Sequence, residues 1–262
     1  MEKGHNIYAG NIRRLVDVHP DAEQITFLDT RFYKRKPEVY YPSVTYVLSY
    51  FPKGRFFEDW LKQVGSNAEY IAQKSADEGT QVHNAIEQMI EGKQIDWVDS
   101  NGNIKYNLEV WGMILKFVDF WNTYKPKIVA SELHIFSDTH KIAGTVDAVV
   151  EMNGELWIID FKTSNSLHTS YELQLSAYAQ CWNESFDRKI DKTGILWLKS
   201  SKRGPDKQQK SIQGKGWELK TYSRHYDDAF KLFEHVYAMF KEENPDFEPA
   251  SNKYPTSVKL EL

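Results

Sequence analysis

A chain of 262 residues, 41 % hydrophobic and 27 % charged, can bury a substantial core in one large domain or two small ones and has the make-up of an ordinary soluble globular protein. No stretch reaches the roughly 18 apolar residues of a membrane span, and the single cysteine, Cys181, excludes an internal disulfide and a four-cysteine iron–sulfur cluster. The formal net charge of −4 advertises no polyanionic partner, so any nucleic-acid path must be a local basic stripe. Met1-Glu2-Lys3-Gly4-His5 carries neither a basic start with an apolar run nor an Arg/Ser-rich transit signal, which sets the expectation of a cytoplasmic protein.

Residues 1–23 are polar and mixed, with a short helix expected around Asn11–Val16. Gln24–Tyr33 and Glu38–Tyr41 read as strands broken by Lys34-Arg35-Lys36-Pro37, a basic turn that suits a solvated hairpin loop or a nucleic-acid contact. Pro42-Ser43 reads as a helix start with Ser43 as N-cap. Lys53, Arg55 and Trp60 have the charge and ring surface to line a single-strand path, although Trp60 serves equally well as packing. Asn67–Glu91 is predicted as one or two long helices. From His83, residues Ile86, Glu87 and Ile90 recur at helical spacing; taken alone, His83 reads as a core residue on an apolar face. Glu87, one turn on, either orients the imidazole or is solvated. Gly79 would allow close approach of the backbone to substrate or to a neighbouring helix. Gly92–Gly102 is a polar connection. Tyr106–Tyr124 is predicted as an amphipathic helix whose Trp111, Phe117, Phe120 and Trp121 read as core, ended by Pro126.

Lys127–Phe136 reads as a strand containing Glu132, and Glu132-Leu133-His134 is also what a half-exposed strand looks like. Lys141–Met152 and Glu155–Thr163 meet at Asn153-Gly154, a two-residue hairpin signal. Asp147 lies about seven residues before the turn and Asp160 about six after it, so the hairpin sets them roughly abreast. Asp160 and Lys162, two apart, leave the same face. Two carboxylates and an ammonium on a buried hairpin are costly to desolvate unless they bind something, and a divalent cation with a phosphate fits. Tyr171–Asn183 reads as a helix on which Gln174 and Tyr178 share a face. A further strand follows at Gly194–Leu198. Lys199–Lys210, with Lys202, Arg203, Lys207 and Lys210, is the densest positive segment and also suits a solvated hairpin tip. Trp217–Tyr222 reads as the last strand. His225–Glu242 is predicted as an amphipathic helix burying Phe230, Phe233, Val236, Tyr237 and Phe240, and the tail from Asn244 is expected to fray.

Asp147, then Asp160-Phe161-Lys162 on a hairpin, then Gln174-x-x-x-Tyr178 on a helix resembles the PD-(D/E)XK nuclease superfamily, and within it the RecB-like exonuclease branch. Gly79-Thr80-Gln81-Val82-His83 resembles the Gly-Thr-x-x-His that opens the core of RecB-like nucleases. Pro42-Ser43-Val44-Thr45 followed by Phe57-Glu58-Asp59-Trp60 is similar to the entry segment of mitochondrial genome maintenance exonucleases and related phage and bacterial exonucleases. Val146 stands where the first motif of the superfamily usually has proline. The resemblance implies an α/β fold, a central mixed sheet flanked by helices with a restriction-endonuclease-like core. It implies one nuclease domain over 1–262, with a helical lobe at 43–124 over the active site and the catalytic sheet at 127–222.

For the site, the resemblance implies Asp147 and Asp160 as principal ligands of Mg²⁺ or Mn²⁺, His83 as an additional ligand and the Phe161 carbonyl as another. Lys162 would hold or help deprotonate the attacking water and stabilise charge on the phosphate. Gln174 and Tyr178 would orient phosphate or nucleophile and contact DNA, and Glu132 would support the metal site or its waters. Ser43, Thr45, Lys53, Arg55 and Thr163 would contact DNA. The activity implied is that of a DNA exonuclease without an iron–sulfur cluster, acting on free single-stranded ends threaded through the lobe. Its setting would be DNA replication, repair or recombination in a bacterial or phage-infected cell. Double-strand-end recombination or flap nucleases, and a non-catalytic nucleic-acid-binding module, stand as alternatives. The intact set His83, Asp147, Asp160, Lys162, Gln174 and Tyr178 speaks against the last.

Overall fold

The computed structural model describes residues 6–8, 12–27, 30–199, 216–255 and 257–259. In chain order, strands β1 (Asn6–Ile7), β2 (Glu23–Phe27), β3 (Thr30–Lys36) and β4 (Val39–Pro42) are followed by helices α1 (Val44–Val47), α2 (Arg55–Val64), α3 (Ala68–Ile90) and α4 (Leu108–Tyr124). Strands β5 (Lys127–Ser137), β6 (Ile142–Met152) and β7 (Glu155–Lys162) come next, then helix α5 (Ser170–Ser185), β8 (Lys192–Trp197), β9 (Glu218–Lys220) and helix α6 (Tyr226–Glu243).

The protein is an α/β fold around a six-stranded mixed sheet in the order β1-β5-β6-β7-β8-β9, with β2-β3-β4 as a separate small sheet. The β6–β7 hairpin turns at Asn153 and Gly154, both at positive φ (54° and 82°), as a two-residue hairpin loop requires. β7 and β8 are parallel and all other neighbours antiparallel, so the chain must cross over between β7 and β8, and α5 is that crossover.

Period-two alternation then sorts the side chains into two layers. Leu156 and Ile158 of β7 join α1, α5 and α6 in one core, while Trp157, Ile159 and Phe161 join α3 and α4 in the other. Helix α5 lies between the sheet and α6 and is buried almost all round, which explains its run of small and apolar residues, Leu175-Ser176-Ala177 and Ala179. Among the described residues no helix is long and apolar enough to cross a membrane.

Four expectations change. Residues 12–16 form no helix: Arg14 bridges to Phe186, and the Leu15 N–H bonds the Ser185 carbonyl at 2.7 Å. The basic run at 34–36 lies within β3, and the turn falls on Pro37-Glu38. Strand alternation points Arg35 inward, where it forks onto Asp138 at 2.8 and 2.9 Å, so it is neither a solvated loop residue nor a nucleic-acid contact. The segment 43–124 is divided between layers: α1 packs with α5 and α6, α3 and α4 cover the opposite face, and residues 55–77 stand off the core with mostly exposed side chains. The tail is anchored past Asn244, because Phe247 stacks on Phe32 at 4.6 Å and on Tyr46 at 5.6 Å. Lys202, Arg203, Lys207 and Lys210 lie outside the described residues.

The Arg35–Asp138 fork ties the small sheet to the end of β5. Hydrogen bonds from Arg35 and from Tyr41 hold the Asp138 carboxyl below its usual range despite some burial. A folded value below the unfolded one stabilises the protein above the ordinary aspartate range and loses that stabilisation as pH falls below about 4. The Asp138 side chain is 44 % exposed, so solvent screens the pair. We expect Asp138→Asn to cost about 1 kcal/mol at neutral pH in urea unfolding, the gap to wild type closing in acid. A gap constant down to about pH 2 would exclude this ion pair as its source.

Candidate active site

The β6–β7 pairing runs from Met152↔Glu155 to Ala148↔Ile159 and then stops. The next two residues in register are Asp147 and Asp160, abreast as the turn position predicts. There the strands part, and the Asp147 side chain replaces the missing ladder bond by accepting the Phe161 N–H at 2.6 Å. On the other side of the same residue, the Phe161 carbonyl meets His83 Nε2 of α3 at 3.1 Å. With Nε2–H donating to that carbonyl, neutral His83 turns the Nδ1 lone pair toward Asp147 Oδ1, 3.6 Å away. Two lone pairs face each other there unless a cation or a proton lies between them. The imidazole is thus oriented by Phe161 and Asp147; Glu87 is not among its partners.

Glu132 completes this group. In β5 it stands between the pairs Ser131↔Ala148 and Leu133↔Val146, opposite Asp147. Its φ of 45° is a costly backbone conformation for a non-glycine residue, and such strain concentrates at functional sites. Like charges directly opposite on a sheet repel. Ligand atoms of His83, Glu132 and Asp147 nevertheless all lie within 4.8 Å of one another. Carboxylate oxygens, a nearby main-chain carbonyl and one imidazole form a donor set that fits a hard divalent cation, the imidazole leaning toward Mn²⁺ over Mg²⁺. The residues that would hold it are His83, Glu132 and Asp147, with Asp160 and the Phe161 carbonyl adjacent.

Asp160 lies deeper, 1 % exposed, on the face of β7 that packs against α5. Its Oδ1 accepts from Gln174 Nε2 at 2.7 Å, and the same nitrogen is 3.2 Å from the Tyr178 hydroxyl. Its Oδ2 forms an ion pair with Lys162 Nζ at 2.5 Å. Burial pushes the Asp160 carboxyl up to about 6, Lys162 opposing and Asp147 adding to the rise. For Lys162, burial works to lower the pKa, but Asp160 and Asp147 outweigh it and raise it, so the amine stays an ammonium. That ammonium also sits 4.7 Å over the Tyr171 ring. Tyr171 is a site residue that the motif reading missed; its spacing from Gln174 and Tyr178 puts it on the same helix face.

Two glycines make room for this arrangement. A β-carbon on Gly144 would meet the Tyr178 ring, 3.1 Å from Cδ1, 3.2 Å from Cζ and nearer still to Cε1. One on Gly79 would lie 2.9 Å from Thr163 Oγ1, so α3 can touch the end of β7 there and bring His83 to the site.

The structure brings His83, Glu132, Asp147, Asp160, Phe161, Lys162, Gln174 and Tyr178 together, with Thr163 at the rim beside Gly79. Gln174, 6 % exposed, and Tyr178, 3 % exposed, lie behind Asp160, where Gln174 holds its Oδ1 and meets the Tyr178 hydroxyl. Ser43, 2 % exposed, caps α1 by accepting the Tyr46 N–H at 3.0 Å, and Thr45 is 3.2 Å from its hydroxyl. Lys53 lies over the Phe57 ring at 4.6 Å, and Arg55 opens α2, both outside the carboxylate cluster.

The chain belongs to the PD-(D/E)XK nuclease superfamily: the profile of that family matches residues 53–254, over three quarters of the sequence. No curated protein matches it at a significant level. Membership makes the protein a metal-dependent nuclease with nucleic acid as substrate and gives the sheet its restriction-endonuclease-like character.

Proposed function

We propose that the protein is a DNA exonuclease that uses Mg²⁺ or Mn²⁺ and works on free ends of single-stranded DNA, in replication, repair or recombination. The observation that carries the hydrolytic part is the carboxylate–imidazole group at the hairpin end with the Lys162 ammonium beside it. Hydrolysis forms a bond from a water oxygen to phosphorus and breaks the bond to the leaving oxygen, which ends protonated. A bound divalent cation supplies water activation and charge neutralisation there. Lys162 contributes a fixed positive charge where negative charge builds on the phosphate, and Gln174 and Tyr178 hold Asp160 in place.

Support for a single strand comes from residues 55–77, which stand off the core. Phe57 and Trp60 stack there at 5.7 Å, with Lys53 over Phe57. Rings combined with positive charge suit unpaired bases. The proposed setting is the cytoplasm of a bacterial or phage-infected cell.

The test is digestion of 5′- and 3′-labelled linear single strands, the same DNA as a closed circle, and duplex ends, with Mg²⁺, Mn²⁺ or chelator. We expect progressive shortening of the linear strand, an intact circle and no reaction in chelator. Cutting of the circle would replace exonuclease by endonuclease action. Faster digestion of duplex ends or flaps would favour a recombination or flap nuclease, and binding without cleavage a non-catalytic module.

A further inference from the structure

Away from the carboxylate group, a cleft of about 440 Å³ opens between the start of α4 and the loop after β7. Glu109, Gly112 and Lys116 line it from α4 at helical spacing; Asn165 and Lys199 line it from the other side. Gly112 places no side chain in it. Lys199 Nζ is 2.7 Å from Glu109 Oε1, 4.0 Å from the buried Glu78 Oε2 and 3.4 Å from Asn165 Oδ1. Its charge is therefore shared with two carboxylates. Lys116 makes no ion pair among the described residues; burial and the neighbouring Lys199 charge both disfavour its ammonium form, and Glu109 opposes them. Two ammonium groups line one polar cleft, and Lys116 has no ion-pair partner among the described residues, so an anion bound there would pair with it.

The cleft lies close to the site. The Leu198 N–H bonds the Lys162 carbonyl at 2.8 Å, so Lys199 stands beside the end of β7. Asn165 follows Lys162 by three residues, a reach of at most about 10 Å. On the substrate strand that distance is at most a few nucleotides.

We propose that this cleft is a subsite for a non-scissile phosphate of the substrate strand, held by Lys116 with Lys199 and Asn165. The inference rests on the nuclease reading. It is tested with wild type, Lys116→Met, which keeps the buried stem without the charge, and Lys116→Arg. Each is assayed on a long single-stranded oligonucleotide and on bis(p-nitrophenyl) phosphate, a diester too small to reach the cleft. Lys116→Met should raise the oligonucleotide KM about tenfold. It should also reduce the salt slope of oligonucleotide binding by about 0.7. Lys116→Arg should restore both, and all three proteins should hydrolyse the small diester alike. Unchanged KM and slope in Lys116→Met would overturn the subsite, as would equal loss on both substrates, which marks general damage. Wild type that cleaves neither substrate would remove the nuclease reading and the subsite with it.

Discussion

Lys162→Met should reduce cleavage at least about 10³-fold while leaving nucleic-acid binding within a few-fold of wild type. The side chain supplies one charge beside the reacting phosphate, and groups of this kind contribute roughly 10²–10⁴ in rate. The expected cost in stability is smaller than the loss of a buried partner suggests. Breaking a buried ion pair commonly costs about 3–5 kcal/mol because the remaining charge is stranded. Asp160 already sits near 6 with Lys162 in place, and without that ammonium it rises further and takes up a proton. An acid whose folded pKa lies above its unfolded value stabilises the fold fully at pH below the unfolded value and loses that contribution as pH rises through the folded one. The variant should therefore unfold more readily at pH 8 than at pH 5 beyond any wild-type trend, and the double variant with Asp160→Asn should lose this dependence. Single-turnover cleavage and urea unfolding at the two pH values read both effects. Activity within tenfold of wild type would remove Lys162 from the chemistry.

Gly144→Ala is expected to disturb fold and activity together. The added methyl meets the Tyr178 ring well inside van der Waals contact. Tyr178 is 3 % exposed between β6 and α5, so the ring has nowhere to move without shifting Gln174. Overpacking of this kind costs about 1–3 kcal/mol, a melting-temperature loss of about 2–4 °C per kcal/mol for a chain of this size. Because Gln174 holds Asp160 at 2.7 Å, cleavage should fall too. Adding Tyr178→Leu tests the cause: if the clash is responsible, the double variant recovers stability relative to the sum of the singles. Strict additivity would point to the backbone of β6 instead.

The parts of the site legible in the sequence are those set by short-range geometry. Asn153-Gly154 fixes the turn, the turn sets Asp147 abreast of Asp160, and alternation puts Lys162 on the face of Asp160. Helical spacing likewise pairs Gln174 with Tyr178. Glu132 was harder to place because its position depends on pairing between β5 and β6 and on a positive φ that no local motif signals. Arg35 reads as a turn residue in the sequence because its partner, Asp138, is distant in the chain and becomes a neighbour only when the small sheet docks. That Gln174 and Tyr178 lie buried on a helix closed in by α6 is a property of packing, invisible in the helix alone.

Phe161 gives the site both of its main-chain groups, its N–H going to Asp147 and its carbonyl to His83, while its ring lies 6.0 Å from the His83 ring. Its ring points into the opposite layer, edge-on to Phe117 of α4 at 5.5 Å. The middle residue of Asp160-Phe161-Lys162 thus separates two demands. Any side chain that fills the same apolar volume keeps the peptide group where the site needs it, whereas a proline there would delete the N–H that closes the gap left by the parted strands. Chemistry dictates the letters on either side of it, and cohesion between sheet and helix dictates the one in the middle.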